Sequence, residues 1–267
     1  ASFPLDGVPL LHDFVMAGSY LVVFVSPVRL DLLPGLLGLK SFGEALAWQP
    51  QLGTQILLFD RATLELVARS TADPWYQWHF VNGCEENGEL VIEFIRFPDF
   101  TTNQNLREIA SGKIQTPAAG QLWRVCLDPK TARVRAQEPL SDRTCEYPTI
   151  AVADTGQTWC YTYLGVHRAG TVPGSELLGA IAAYNRQNQD LIVAEPGPDC
   201  YPSEPIFAPD PRNPTTGWLL TVMYDGRAQQ SEVWVYERDR LADGPVCRLG
   251  LPAIVPHGFH GTWQPAV

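Results

Sequence analysis

Positive charge is scarce in this chain: 19 lysines and arginines stand against 29 aspartates and glutamates in 267 residues, a formal net charge of -10. There is no basic run and no stripe of interleaved basic and aromatic residues, so nucleic acid is excluded as a partner. No apolar run reaches the roughly 18 residues that would span a bilayer as a helix. The six cysteines (Cys84, Cys126, Cys145, Cys160, Cys200 and Cys247) contain no C-x-x-C pair. A zinc knuckle is therefore not indicated, and reduced thiols in a cytoplasmic protein are the simpler reading. The opening "ASFPLDG" has no initiator methionine and no signal-peptide pattern, and reads as a processed or truncated product. No stretch of three clean helical turns stands out; "NQNLREIASG" is the one segment read as able to form a helix.

What the chain does have is 45% hydrophobic residues, 23 prolines and 22 glycines. Many short runs rich in Val, Ile, Leu, Tyr and Trp lie between turn signals, among them "YLVVFVSPV", "ELVIEFIRF", "TWCYTYLGV" and "GWLLTVMYD". This is the composition of an all-β protein with a full core. One unit recurs, a strand, a polar turn and a second strand. It reads "QILLFDRATLELVARS", "QLWRVCLDPKTARVRAQ", "GAIAAYNRQNQDLIVAE" and "SEVWVYERDRLADGPVCRL". The turns "DRAT", "DPKT" and "NRQN" have hairpin chemistry.

Each unit leads into a segment with one titratable side chain: His79 in "WHFVNG", Glu146 in "CEYPTI", Glu204 in "SEPIFAP" and His260 in "GFHGTW". His12, in "PLLHDF", extends the series backward, and the five residues are 67, 67, 58 and 56 positions apart. Another strand-like run follows each of the first four. About four strands in about 60 residues is the unit of a β-propeller blade with long loops. If the innermost strand of each blade starts at the titratable residue, all five side chains converge on the propeller axis. The plainer alternative is that they are ordinary polar residues at strand entrances. Converging imidazoles suit Fe, Zn, Cu or Ni. A ligating imidazole commonly gives its other N–H to a carboxylate, and Glu146 beside His79 and Glu204 beside His260 are placed for that. Acid–base work by the two glutamates is a rival reading that leaves the histidines unexplained. His167, in "LGVHRAG", and His257, three before His260, are read as loop residues.

The stretches "LLHDFVMAGSYLVVFVSPVRLDLLPGLLG", "WYQWHFVNGCEENGELVIEFIRFPDF", "CEYPTI", "YPSEPIFAPDP" and "PHGFHGTW" resemble the carotenoid cleavage oxygenases, a family that includes retinoid isomerohydrolases. Within it they are most similar to the apocarotenoid oxygenases of cyanobacteria. The resemblance runs in order over essentially the whole chain. It implies a seven-bladed propeller with non-haem Fe(II) on four histidines, three of them backed by glutamates. His12, His79 and His260 match the second, third and fourth ligands, and Glu146 and Glu204 match two of the glutamates. The first histidine and first glutamate have no match, so residues 1–267 are expected to be the C-terminal portion of one propeller domain, about four blades' worth. The implied activity is cleavage of a conjugated double bond of a carotenoid or apocarotenoid with O2. Iron-dependent polyene isomerohydrolysis and non-catalytic binding are the alternatives.

One segment bears on how a lipid-like substrate is reached. "VRLDLLPGLLGLKSF" carries six leucines around a Pro-Gly break. It reads either as a buried helix or as an apolar patch that gives residues 28–42 peripheral contact with a membrane. The resemblance favours the second.

Overall fold

The hairpins follow from their turns. Asp60, Asp128, Asn185 and Asp225 each open a tight connection, and the side-chain oxygen of each accepts the backbone amide two residues on. Four residues after each, the backbone turns left-handed, at Leu64, Ala132, Gln189 and Gln229. A tight turn closed by such a residue keeps the two strands twisted together. The Asn87-Gly88 pair, with φ of 52° and 78°, makes the two-residue version.

A computed structural model describes residues 2–172 and 174–264, which form two compact units. The first takes in residues up to 140 together with 156–158; the second holds 141–155 and 159 onward. In chain order the first unit contains β1 (Val15–Ala17), β2 (Tyr20–Val25), β3 (Val28–Leu30), α1 (Leu32–Leu36), α2 (Phe42–Ala45), β4 (Leu46–Trp48), β5 (Thr54–Asp60), β6 (Leu66–Ala72), β7 (Phe80–Glu86), β8 (Glu89–Arg96), α3 (Thr101–Ser111) and β9 (Gln121–Leu127). Strands β1, β2, β5 and β6 form an antiparallel run, and β7, β8 and β9 another. The two runs join where β1 pairs in parallel with β7 at Ala17 and Gly83. Only glycine fits there. A Cβ on Gly83 would lie 2.8 Å from the Ala17 Cβ, the Ile92 Cδ1 and the Met16 carbonyl. The core of this unit packs Val22, Phe24, Ile56, Leu58, Trp75, Ile92 and Phe94 together. Glu93, with no exposed side-chain surface, is held by Arg124 across β8 and β9 at 2.8 Å.

β10 (Val134–Thr149) carries the chain into the second unit. There follow β11 (Tyr161–Val166), β12 (Ala180–Asn185), β13 (Leu191–Ala194), β14 (Cys200–Pro202), β15 (Ile206–Asp210), β16 (Asn213–Asp225), β17 (Gln230–Glu237) and β18 (Cys247–Gly250). The last residues of β10 pair with β11, which continues through β12 to β13, all antiparallel. In the other sheet β14 and β15 both pair with the long β16, which continues through β17 to β18. Tyr163, Ile181, Phe207, Leu219, Met223 and Trp234 fill its core. The protein is all-β with short helices, as expected, and the segment read as a helix is α3.

The leucine segment is outside the core. β3 and β4 pair as its stem. Above them α1 buries no residue. Leu33, Leu36, Leu37, Leu39 and Phe42 are 63–81% exposed. The buried-helix reading of 28–42 fails. Five residues are too few to wrap a core, and Pro34-Gly35 breaks the helical run.

Candidate metal centre

In the first unit His12 precedes β1 and His79 precedes β7, so the β1–β7 contact that Gly83 permits brings them together. Their rings lie 5.2 Å apart at 69°, and their ligand nitrogens are within 4.8 Å of one another. Three further contacts fix them. The Phe80 amide donates to the Asp13 carboxylate at 2.8 Å, tying the residue after His12 to the residue after His79. The Ile95 amide donates to the His79 carbonyl at 3.0 Å. The Trp78 ring stands edge-on to His12 at 5.1 Å, and its indole N–H donates to the Thr102 hydroxyl on α3.

In the second unit Glu204 sits between β14 and β15 and is buried, while the His260 it meets is half-exposed, on a segment without regular structure. The Nδ1 of His260 lies 3.1 Å from Oε1 of Glu204, and the Gly261 amide donates to Oε2 at 2.9 Å. A carboxylate on Nδ1 selects the tautomer with its proton there and leaves Nε2 as the donor atom for a metal. The segment is tethered upstream, where the Val255 amide donates to the Ser231 hydroxyl. A cavity of about 330 Å³ opens beside Glu204 and His260, walled largely by Leu220, Val222, Val233 and Trp263.

Glu146 departs from the strand-entrance pattern, because it lies inside β10, opposite Gly165. The next residue, Tyr147, has φ of 53°. Left-handed backbone costs a bulky residue roughly 1–3 kcal/mol. Its amide donates to Glu146 Oε2 at 2.7 Å. Burial first, and then the charges of Glu146 and Glu204, push its phenol well above the usual tyrosine range. His167 follows β11 in a loop, but a buried one. Its Nδ1 faces the Gly174 amide at 3.4 Å, its carbonyl accepts from Arg143, and burial lowers its pKa. His257 lies in the exposed C-terminal segment. Sequence reasoning missed Asp13, Trp78 and Tyr147. Asp13 adjoins His12 in "HD", which was a usable signal. Tyr147 precedes Pro148, a position that ordinarily stays extended, so nothing pointed to its left-handed turn.

The donor set suits a first-row transition metal. Two imidazoles face each other in one unit, and a third in the other is held in a ligating tautomer. Residues 1–265 match the family described as retinal pigment epithelial membrane protein (RPE65). The chain is 29% identical over 266 residues to the apocarotenoid-15,15'-oxygenase of Synechocystis, covering 98% of this chain and 53% of that protein. It is 24% identical to the mitochondrial carotenoid-cleaving dioxygenase of Homo sapiens (95% and 51% covered). It is 26% identical to the isoeugenol monooxygenase of Pseudomonas nitroreducens (96% and 54%). The crystal structure of cobalt-substituted Synechocystis ACO superposes with a TM-score of 0.86 at 27% identity, covering 97% of this chain and 53% of that one. The chain thus spans about half the length of the curated relatives it matches. With the family matched almost end to end, the chain belongs to the retinal pigment epithelial membrane protein family, that of the carotenoid oxygenases.

Proposed function

We propose that the protein is a non-haem Fe(II) dioxygenase that cleaves a conjugated double bond of a carotenoid or apocarotenoid with O2, giving two carbonyl products. The observation that carries this reading is the state of its histidines: His12 paired with His79, and His260 oriented by Glu204. His12, His79 and His260 would hold the iron, which when bound would supply the oxygen chemistry that no side chain provides. Glu204 holds the proton on Nδ1 of His260, and in this reading Glu146 serves His79 in the same way. The fold would be a β-propeller. In this reading the antiparallel runs of strands would make up about four blades of the family's seven, with the five titratable residues toward its axis. Apolar walls such as those beside His260 would keep water from the polyene. The exposed leucines of 28–42 would rest on a membrane surface, where such substrates reside.

The test uses the complete protein. Iron is measured by elemental analysis, and loss of polyene absorbance is followed with and without O2. About one iron per chain and O2-dependent bleaching are expected. Conversion of a retinoid ester without O2 would make it an isomerohydrolase, and an iron-free, inert protein would make it a binding module. Isoeugenol is the second substrate to try, because a relative is named for it. His79→Ala and His260→Ala should each remove most of the iron, and His167→Ala should leave it unchanged.

A further inference from the structure

We propose that Tyr147 is a positioning residue for the His260 imidazole, an inference that rests on reading His260 as a metal ligand. The first ground is the bulge that carries the tyrosine. From Glu146 to Thr149, β10 advances three residues while β11 advances two, from Gly165 to Tyr163. An inserted residue re-aims the side chains around it, and bulges recur beside functional sites for that reason.

The second ground is the backbone. Among the described residues, five other non-glycine residues have positive φ, and all five (Leu64, Asn87, Ala132, Gln189 and Gln229) stand in hairpin connections where the turn requires it. Tyr147 is within a strand and precedes a proline. Strain kept where no turn needs it points to a task.

The third ground is where the ring goes. It stands edge-to-face with His260, centroids 6.1 Å apart at 75°, and against Phe259 at 6.3 Å. Both distances lie within the range of favourable aromatic pairs. His260 is half-exposed between Gly258 and Gly261, and its Nδ1 is hydrogen-bonded to Glu204. Glu204 fixes which nitrogen is offered, and the Tyr147 ring fixes the plane in which it is offered.

The experiment titrates the complete, metal-free protein with Co2+. Affinity is read by chelator competition and ligand geometry by the visible absorption of bound Co2+. Tyr147→Phe keeps the ring and should bind within about twofold of wild type with an unchanged spectrum. Tyr147→Gly fits φ of 53° without strain, so it folds, as circular dichroism will verify. It should bind about ten- to a hundredfold more weakly, the range for lost outer support of a ligand, with an altered spectrum. Wild-type affinity and spectrum in Tyr147→Gly overturn the inference. Equal losses in the Phe and Gly variants also overturn it, by moving the effect from ring to hydroxyl. His260→Ala separates the two levels: if it binds Co2+ like wild type, the reading of His260 as a ligand fails first.

Discussion

Glu204 is buried while the imidazole it holds is half in solvent, so the hydrogen bond between them is made from the protein's side. Glu204→Gln replaces an acceptor-only carboxylate with an amide that can present its NH2 to Nδ1 or its oxygen, but without charge. Metal affinity should fall about ten- to a hundredfold with the fold intact. An isotherm identical to wild type would make the glutamate structural. His167 gives a pH signature independent of metal. Burial lowers its pKa below the ordinary value of about 6.5. The unfolded chain therefore takes up the proton first as pH falls. The advantage of the folded state is complete above about pH 6.5 and is lost as pH drops toward the depressed folded pKa. His167→Gln should flatten the fall of Tm below pH 6.5. An unchanged slope would show that other groups set it.

The β1–β7 junction is the element on which His12 and His79 depend. Gly83→Ala drives a methyl into Ala17, Ile92 and the Met16 carbonyl, so the strands must part. Overpacking of this kind costs about 1–3 kcal/mol. The two imidazoles move with the strands, so lower Tm and weaker metal binding should appear together. Loss of stability alone would show that the histidines are held by Asp13 and Trp78 instead. In the β8–β9 pair, Glu93→Ala removes the buried carboxylate that holds Arg124 and leaves it the exposed Glu138 at 3.4 Å, which should cost about 1–3 kcal/mol in urea denaturation. The double change Glu93→Met with Arg124→Leu should recover most of that. The hairpin elements were legible in the sequence because Asp60, Asp128 and Asn185 act within a few residues of themselves. β10 was not, because its bulge is defined only against β11.

At the scale of the whole molecule, the leucine segment is an exposed apolar surface outside the core among the described residues. Leu33, Leu36 and Leu37 lie in solvent, so Leu→Ser at all three should leave Tm within about a degree, since surface changes rarely exceed 0.5 kcal/mol. The same variant should reduce co-sedimentation with phosphatidylcholine vesicles. Unchanged vesicle binding would remove the membrane role from these leucines. No helix among the described residues is long and apolar enough to cross a membrane.

The sequence by itself determined the all-β class, the hairpin units, the helix α3 and the identity of the histidines and glutamates, because strand alternation, turn chemistry and donor type are carried by neighbouring residues. It left the leucine segment open between core and surface, since burial depends on what the rest of the chain packs against it. Only the tertiary structure decided that His12 meets His79 across a glycine 66 residues beyond Ala17. It alone decided that Glu204 reaches the Nδ1 of a histidine 56 positions away, and that Tyr147 turns left-handed inside a strand. Each of these is a pairing between distant segments, settled by strand register and close packing rather than by any local preference.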